Sequence, residues 1–232
     1  MSCKHEHSLS TPTDMGHTAE YHSIVLKTYD VGEADRFCIV LTRERGKIAA
    51  RARGVRKPKS RMGGSILPLQ ESMLSMHESS SGLSISGVSH MQDHASALSL
   101  PTFLHAQQAT ELLLSVLEDD HPVPDIFELM RQFLTACRTE ETVQSLPFTV
   151  RILQTMGILP TQNSHQIFTH LSMPERELIE TCAQHDWHTA HLPHENSRHL
   201  QALCNRILEQ QTNWKMKAGS VASSMLLANY GA

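Results

Sequence analysis

Nine basic side chains fall within nineteen residues: Arg43, Arg45, Lys47, Arg51, Arg53, Arg56, Lys57, Lys59 and Arg61, opposed only by Glu44. That window carries +8, whereas the whole chain carries −4, so the remainder is acidic. Cations packed this densely repel one another and disfavour folding unless an anion lies among them. Over Lys47–Val55, the residues Ile48, Ala50 and Ala52 share one parity, and Lys47, Ala49, Arg51 and Arg53 share the other. A period of two sends the apolar set inward and the cations outward, as on a half-buried strand. Arg56, Lys57, Lys59 and Arg61 follow on a loop bounded by Gly54 and Gly64 and containing Pro58, which is expected to be mobile.

This combination suits a nucleic-acid backbone. A single strand is held by cations that track its phosphates and by flat faces on which its bases stack. The first ingredient is abundant. The second is thin: Tyr21, Tyr29 and Phe37 are the aromatic residues of the region, and some must fill a core. Electrostatics therefore dominates, with weak sequence preference; about six phosphate pairs give a salt slope of roughly −4.

Other chemistries lack their residues. There is no GxxxxGK[ST] phosphate loop and no GxSxG elbow. Metal-dependent phosphodiester hydrolysis needs clustered carboxylates, and only Glu33, Asp35 and Glu44 are near the basic window. The five cysteines, Cys3, Cys38, Cys137, Cys182 and Cys204, are scattered without a CxxC pair and read as reduced thiols. Cys182, His185, His188, His191 and His194 recur every third residue, but such a step drifts about 60° per repeat round a helix, and Pro193 interrupts it. They read as polar surface, and Cys3, His5 and His7 as a polar tail. His194-Glu195 with His199 is one residue too long for HExxH. The expectation is a protein that is not an enzyme, with no cofactor and no metal site.

Elements must position the cations. Residues 1–20 have almost nothing to bury and read as a disordered tail. Strands are expected over Ser23–Tyr29, Phe37–Thr42, Lys47–Val55, Ile66–His77 and Leu83–Met91. Five short strands with a longer loop midway suit a small closed barrel over residues 21–92. After Asp93 the period becomes helical: Leu112, Leu113 and Val116; Ile126, Leu129, Met130 and Phe133; Ile152, Leu153 and Met156; Leu178-Ile179; Leu200, Leu203 and Ile207. Pro101, Pro122, Pro124, Pro147, Pro160, Pro174 and Pro193 mark the breaks. Leu112-Leu113-Leu114 and Met225-Leu226-Leu227 read as packing, with one of them lining a groove for an acidic, aromatic-ended peptide tail as the alternative; Lys215 and Lys217 either serve such a tail or are solvated. The fold class is α+β: an N-terminal OB-fold β-barrel, then an all-α domain of five or six helices over residues 93–232.

The 232 residues are 40% hydrophobic with no apolar run near the roughly 20 residues that span a bilayer. Met1–Glu20 has no apolar stretch of a secretory signal. A cytoplasmic, nucleoid-associated protein without a membrane partner is expected.

Certain segments are familiar. Ile24-Val25-Leu26-Lys27-Thr28, Gly32-Glu33-Ala34-Asp35 and Leu41-Thr42-Arg43-Glu44-Arg45-Gly46-Lys47-Ile48 resemble the N-terminal domain of the RecO family. Ala52-Arg53-Gly54-Val55-Arg56-Lys57-Pro58-Lys59-Ser60-Arg61 continues the match and is its most specific part. Leu153-Gln154-Thr155-Met156-Gly157-Ile158-Leu159-Pro160 resembles the family's helix-ending LGxxP signature. The resemblance implies an OB-fold and a helical domain, binding to single- and double-stranded DNA, and strand annealing. It also implies work with RecR and with the C-terminal tail of the single-stranded-DNA-binding protein to load recombinase. Family DNA contacts carry over to Lys47, Arg51, Arg53, Arg56, Lys57, Lys59 and Arg61, with Arg43 and Arg45 secondary. Many members place a four-cysteine zinc site after the signature; Thr161–Leu171 has no cysteine. The rival readings are an RNA-binding OB-fold protein of translation or RNA handling, a nuclease, and a scaffold whose basic loop meets an acidic protein.

Overall fold

A computed structural model describes residues 17–140, 142–160, 171–184, 187 and 194–212. Five strands come first: β1 (Thr18–Val31), β2 (Asp35–Thr42), β3 (Gly46–Ala52), β4 (Gln70–Ser79) and β5 (Gly82–Asp93). They pair in the order β1-β2-β3-β5-β4, and β4 returns to β1, so the sheet closes into a barrel. Neighbours are antiparallel except β3 with β5, which run parallel. This is the OB-fold arrangement that the strand count anticipated.

Burial on β3 alternates as the sequence parity requires: Ile48, Ala50 and Ala52 are buried, and Ala49 and Arg51 are exposed. The apolar run on β1 serves two cores at once. A bulge between Val25 and Lys27 leaves Leu26 without a partner in the β1–β2 register. Val25 enters the barrel, while Ile24 and Leu26 face the helices.

Three strand boundaries differ from expectation by more than two residues. Of the tail expected over residues 1–20, residues 1–16 lie outside the described set, but Thr18, Ala19 and Glu20 pair with His77, Met76 and Ser75 on β4. β3 stops at Ala52 rather than Val55, because Gly54 turns at φ +64 and its N–H goes to the Asp35 carboxylate at 2.7 Å. β4 starts at Gln70 rather than Ile66. Leu69, at φ +66, donates its N–H to the Val25 carbonyl, and Ile66 plugs the barrel from the loop.

Five helices follow: α1 (Leu100–Val116), α2 (Pro124–Thr139), α3 (Ser145–Thr155), α4 (Met173–Ala183) and α5 (His194–Thr212). Pro101, Pro124 and Pro174 sit in first turns, where the missing N–H costs nothing. Glu175 completes the α4 start by accepting from the Ser172 backbone N–H at 2.8 Å. Phe127, Phe133 and Phe148 are fully buried among Leu112, Leu113 and Leu153, each burial contributing about 1.5–3 kcal/mol. Met225-Leu226-Leu227, Lys215 and Lys217 lie outside the described residues.

The helical core extends onto the barrel through Ile24, Leu26, Leu41 and Leu69. Beside it, Glu71 on β4 is clamped by two imidazoles. His22 Nε2 lies 2.8 Å from one carboxylate oxygen and His94 Nε2 lies 2.9 Å from the other. The His22 ring stands edge-on to Phe127 of α2 at 4.7 Å. Burial pushes the Glu71 carboxyl up, but hydrogen bonds from His94 and His22 outweigh it, and the net shift is downward. A depressed carboxyl stabilises the fold above its unfolded pKa of about 4.3, and that stability is lost as pH falls through the folded value. Glu71→Gln should therefore cost roughly 1–3 kcal/mol at neutral pH. In urea unfolding the gap from wild type should narrow as pH falls below about 4. A gap constant with pH would show that the charge is irrelevant.

Candidate nucleic-acid interface

The side chains of the basic window fall into groups by their ionic partners. Arg45 reaches away from the loop to the α1–α2 connection, where its guanidinium donates to both Asp120 oxygens at 2.6 and 2.5 Å and to Glu78 at 3.0 Å. The Asp120 hydrogen bonds hold the Arg45 guanidinium firmly protonated and the Asp120 carboxyl below its usual range. Lys47 Nζ lies 3.1 Å from Asp119 and 3.3 Å from the Leu114 carbonyl. These two cations join the barrel to the helices. Arg43 is exposed, and its charge reaches Glu128 on α2. Glu44, the lone acid of the window, accepts the His22 N–H at 3.1 Å.

Arg51 and Arg56 form a second group, clasped by the β1–β2 turn. Arg51 lies 2.7 Å from Asp35, whose carboxyl is drawn down by the Gly54 N–H and by Arg51. Arg56 donates to the Gly32 carbonyl at 2.9 Å and meets Asp30 at 3.3 Å. Its own N–H binds the Ala34 carbonyl at 2.9 Å. Asp30 is the acid that proximity in sequence overlooked, because the β1–β2 register, not chain distance, brings it here.

Arg53, Lys57, Lys59 and Arg61 form the third group. All four are exposed and have no ion pair among the described residues. Val55, at 1% exposure, and the fully buried Ile66 pin the two ends of their loop in the barrel mouth. Between them the chain makes successive turns: Lys57 N–H to the Gly54 carbonyl, Ser60 N–H to Lys57, and Ser65 N–H to Met62. The loop expected to be mobile contains these hydrogen-bonded turns. The loop thus carries four cations without an ion pair among the described residues, interleaved in sequence with Arg51 and Arg56, and such a set can bind a chain of phosphates.

Residues 15–92 match the family model "Recombination protein O N terminal". Over this stretch the chain is similar to the RecO family. The chain is similar to proteins described as "DNA repair protein RecO": 34% identical over 141 residues to that of Heliobacterium modesticaldum, covering 60% of this chain and 51% of that protein. It is 31% identical over 146 residues to that of Myxococcus xanthus, covering 61% and 60%. It is 34% identical over 141 residues to that of Bacillus pumilus, covering 59% and 55%. The chain thus spans roughly half the length of the RecO proteins it matches. The RecO match ends where β5 ends, and so takes in the entire barrel and its basic loop.

Of the three aromatic residues weighed for stacking, Tyr21 is half-buried against the barrel core, while Tyr29 and Phe37 are exposed. Among the described residues no group of three or more His, Cys, Asp or Glu side chains could hold a metal ion. Cys182 is buried, and burial pushes its thiol up to about 12. His185, His188 and His191 lie outside the described residues, as do Cys3, His5 and His7. No described helix is long and apolar enough to cross a membrane.

Proposed function

We propose that this chain is a DNA-binding mediator of recombinational repair, acting without a catalytic centre. The barrel, residues 21–92, binds single- and double-stranded DNA and promotes annealing of complementary strands. The helical part, residues 93–232, meets protein partners. Those are RecR and the C-terminal tail of the single-stranded-DNA-binding protein, with which recombinase is loaded onto coated strands. One observation carries this reading: Arg53, Lys57, Lys59 and Arg61 stand exposed, without an ion pair among the described residues, on a pinned loop of a barrel that resembles the RecO N-terminal domain. Leaving four like charges exposed side by side is unfavourable unless a polyanion occupies the space.

The test is a salt titration of binding to a labelled single strand. Four phosphate contacts give a slope of about −3, so a fourfold rise in salt should weaken binding by roughly 50-fold. Affinity indifferent to ionic strength would overturn the proposal. Competition by RNA of equal length should be no stronger than by DNA; a marked RNA preference would favour a role in RNA handling.

A further inference from the structure

Phosphate contacts leave open what the barrel does with bases. The register answers for one patch. Tyr29 on β1 lies directly opposite Phe37 on β2, and Phe37 lies opposite Arg51 on β3. All three belong to the outer face. One row along, Lys27, Ile39 and Ala49 are likewise aligned; one row further, Leu41 is fully buried beneath the helices. The outer face of β2 is therefore covered at one end by the helical domain and, among the described residues, exposed at the other. The exposed end carries two aromatic rings, Tyr29 at 44% and Phe37 at 38% exposure.

The surroundings of the rings indicate their occupant. Lys27 Nζ lies 5.0 Å from the centre of the Tyr29 ring, and Arg51 flanks Phe37. The β1–β2 turn beside them clasps Arg56 at the head of the basic loop. A ligand for this patch must offer flat apolar faces joined by a negatively charged backbone. Single-stranded nucleic acid does so; a duplex keeps its base faces stacked on one another and offers only phosphates.

We propose that Tyr29 and Phe37 form a platform on which unpaired bases of single-stranded DNA stack, continuous with the loop cations. This deepens the proposed function and rests on it. It assigns the barrel a means of preferring single strands that charge alone does not supply.

The experiment compares the full chain with Tyr29→Ala/Phe37→Ala and Tyr29→Trp/Phe37→Trp on labelled oligothymidylate and on duplex. The alanine pair should lose roughly 10- to 100-fold in single-strand affinity, keep its duplex affinity and keep the wild-type salt slope, because stacking releases no counterions. The tryptophan pair should retain affinity. Its emission, beyond that of Trp187 and Trp214, should be quenched by single strands and not by duplex. An alanine pair that binds single strands like wild type, or loses both forms equally, overturns the platform and leaves the basic loop standing. If wild type binds neither form, both readings fail. Both positions are exposed, so folding should survive; were the alanine pair to unfold, tryptophan quenching alone decides, and its absence overturns the proposal.

Discussion

Replacing Arg53, Arg56, Lys57 and Lys59 together by Ala should abolish annealing of complementary strands while leaving the fold intact. Among the described residues three of these side chains form no ion pair, and the fourth shares Asp30 with Arg36, so the folded state loses little when they go. Binding loses much more. Each phosphate contact contributes about 0.7 to the single-strand salt slope, so four deletions lower it by roughly 3. The same relation makes the loss several-hundred-fold near 0.1 M salt and only about ten-fold near 0.4 M. The convergence of variant and wild type at high salt is the signature of a phosphate-binding surface. Anisotropy titrations at several salt concentrations and an annealing assay measure it directly. Unchanged annealing would refute the assignment. Lys47→Ala is the contrasting case: its partner is Asp119, so it should reduce stability and barely alter the salt slope.

The second large effect is at Gly46, in the β2–β3 turn. Its φ is +71, and a Cβ there would lie 1.8 Å from the His121 carbonyl oxygen and 2.8 Å from the His121 carbonyl carbon. Backbone cannot swing aside as a long side chain can. Gly46→Ala must push the α1–α2 connection away, and with it the Asp120 N–H bond to the Lys47 carbonyl and the Arg45–Asp120 pair. Left-handed strain of about 1–2 kcal/mol adds to those losses. The total should reach roughly 3–5 kcal/mol, a large share of the 5–15 kcal/mol that holds an ordinary domain together. Gly32→Ala is the control: φ is +57, but nothing lies within 4 Å of the added Cβ, so only the strain should register. Denaturant unfolding of both variants gives the comparison. Equal losses would mean that the turn does not seat against residues 118–122 as described.

Local pattern was enough for the barrel. The parity of Ile48, Ala50 and Ala52 against Arg51 and Arg53, and the spacing of the strand-forming runs, fixed which side of β3 faces out. First-turn prolines at Pro101, Pro124 and Pro174 likewise marked helix starts. Such features depend only on the few residues around them. Strand ends were harder to read. Asp35 capping the Gly54 N–H and Leu69 bonding to Val25 are contacts between segments distant in sequence, and they decided where β3 stops and β4 begins.

The site shows the same division more sharply. Charge density and composition alone singled out a basic segment suited to a polyanion, because both are sums over neighbouring residues. Which of its nine cations enter ion pairs was settled by folding: Asp119 and Asp120 engage Lys47 and Arg45, Asp35 and Asp30 hold Arg51 and Arg56, the charge of Arg43 reaches Glu128, and the other four have no ion pair among the described residues. Whether Tyr29 and Phe37 filled a core or stood on the surface was also open until the β1–β2 register placed them side by side on the outer face. Ion pairing and exposure depend on distances across the fold, and no local pattern of residue types encodes them.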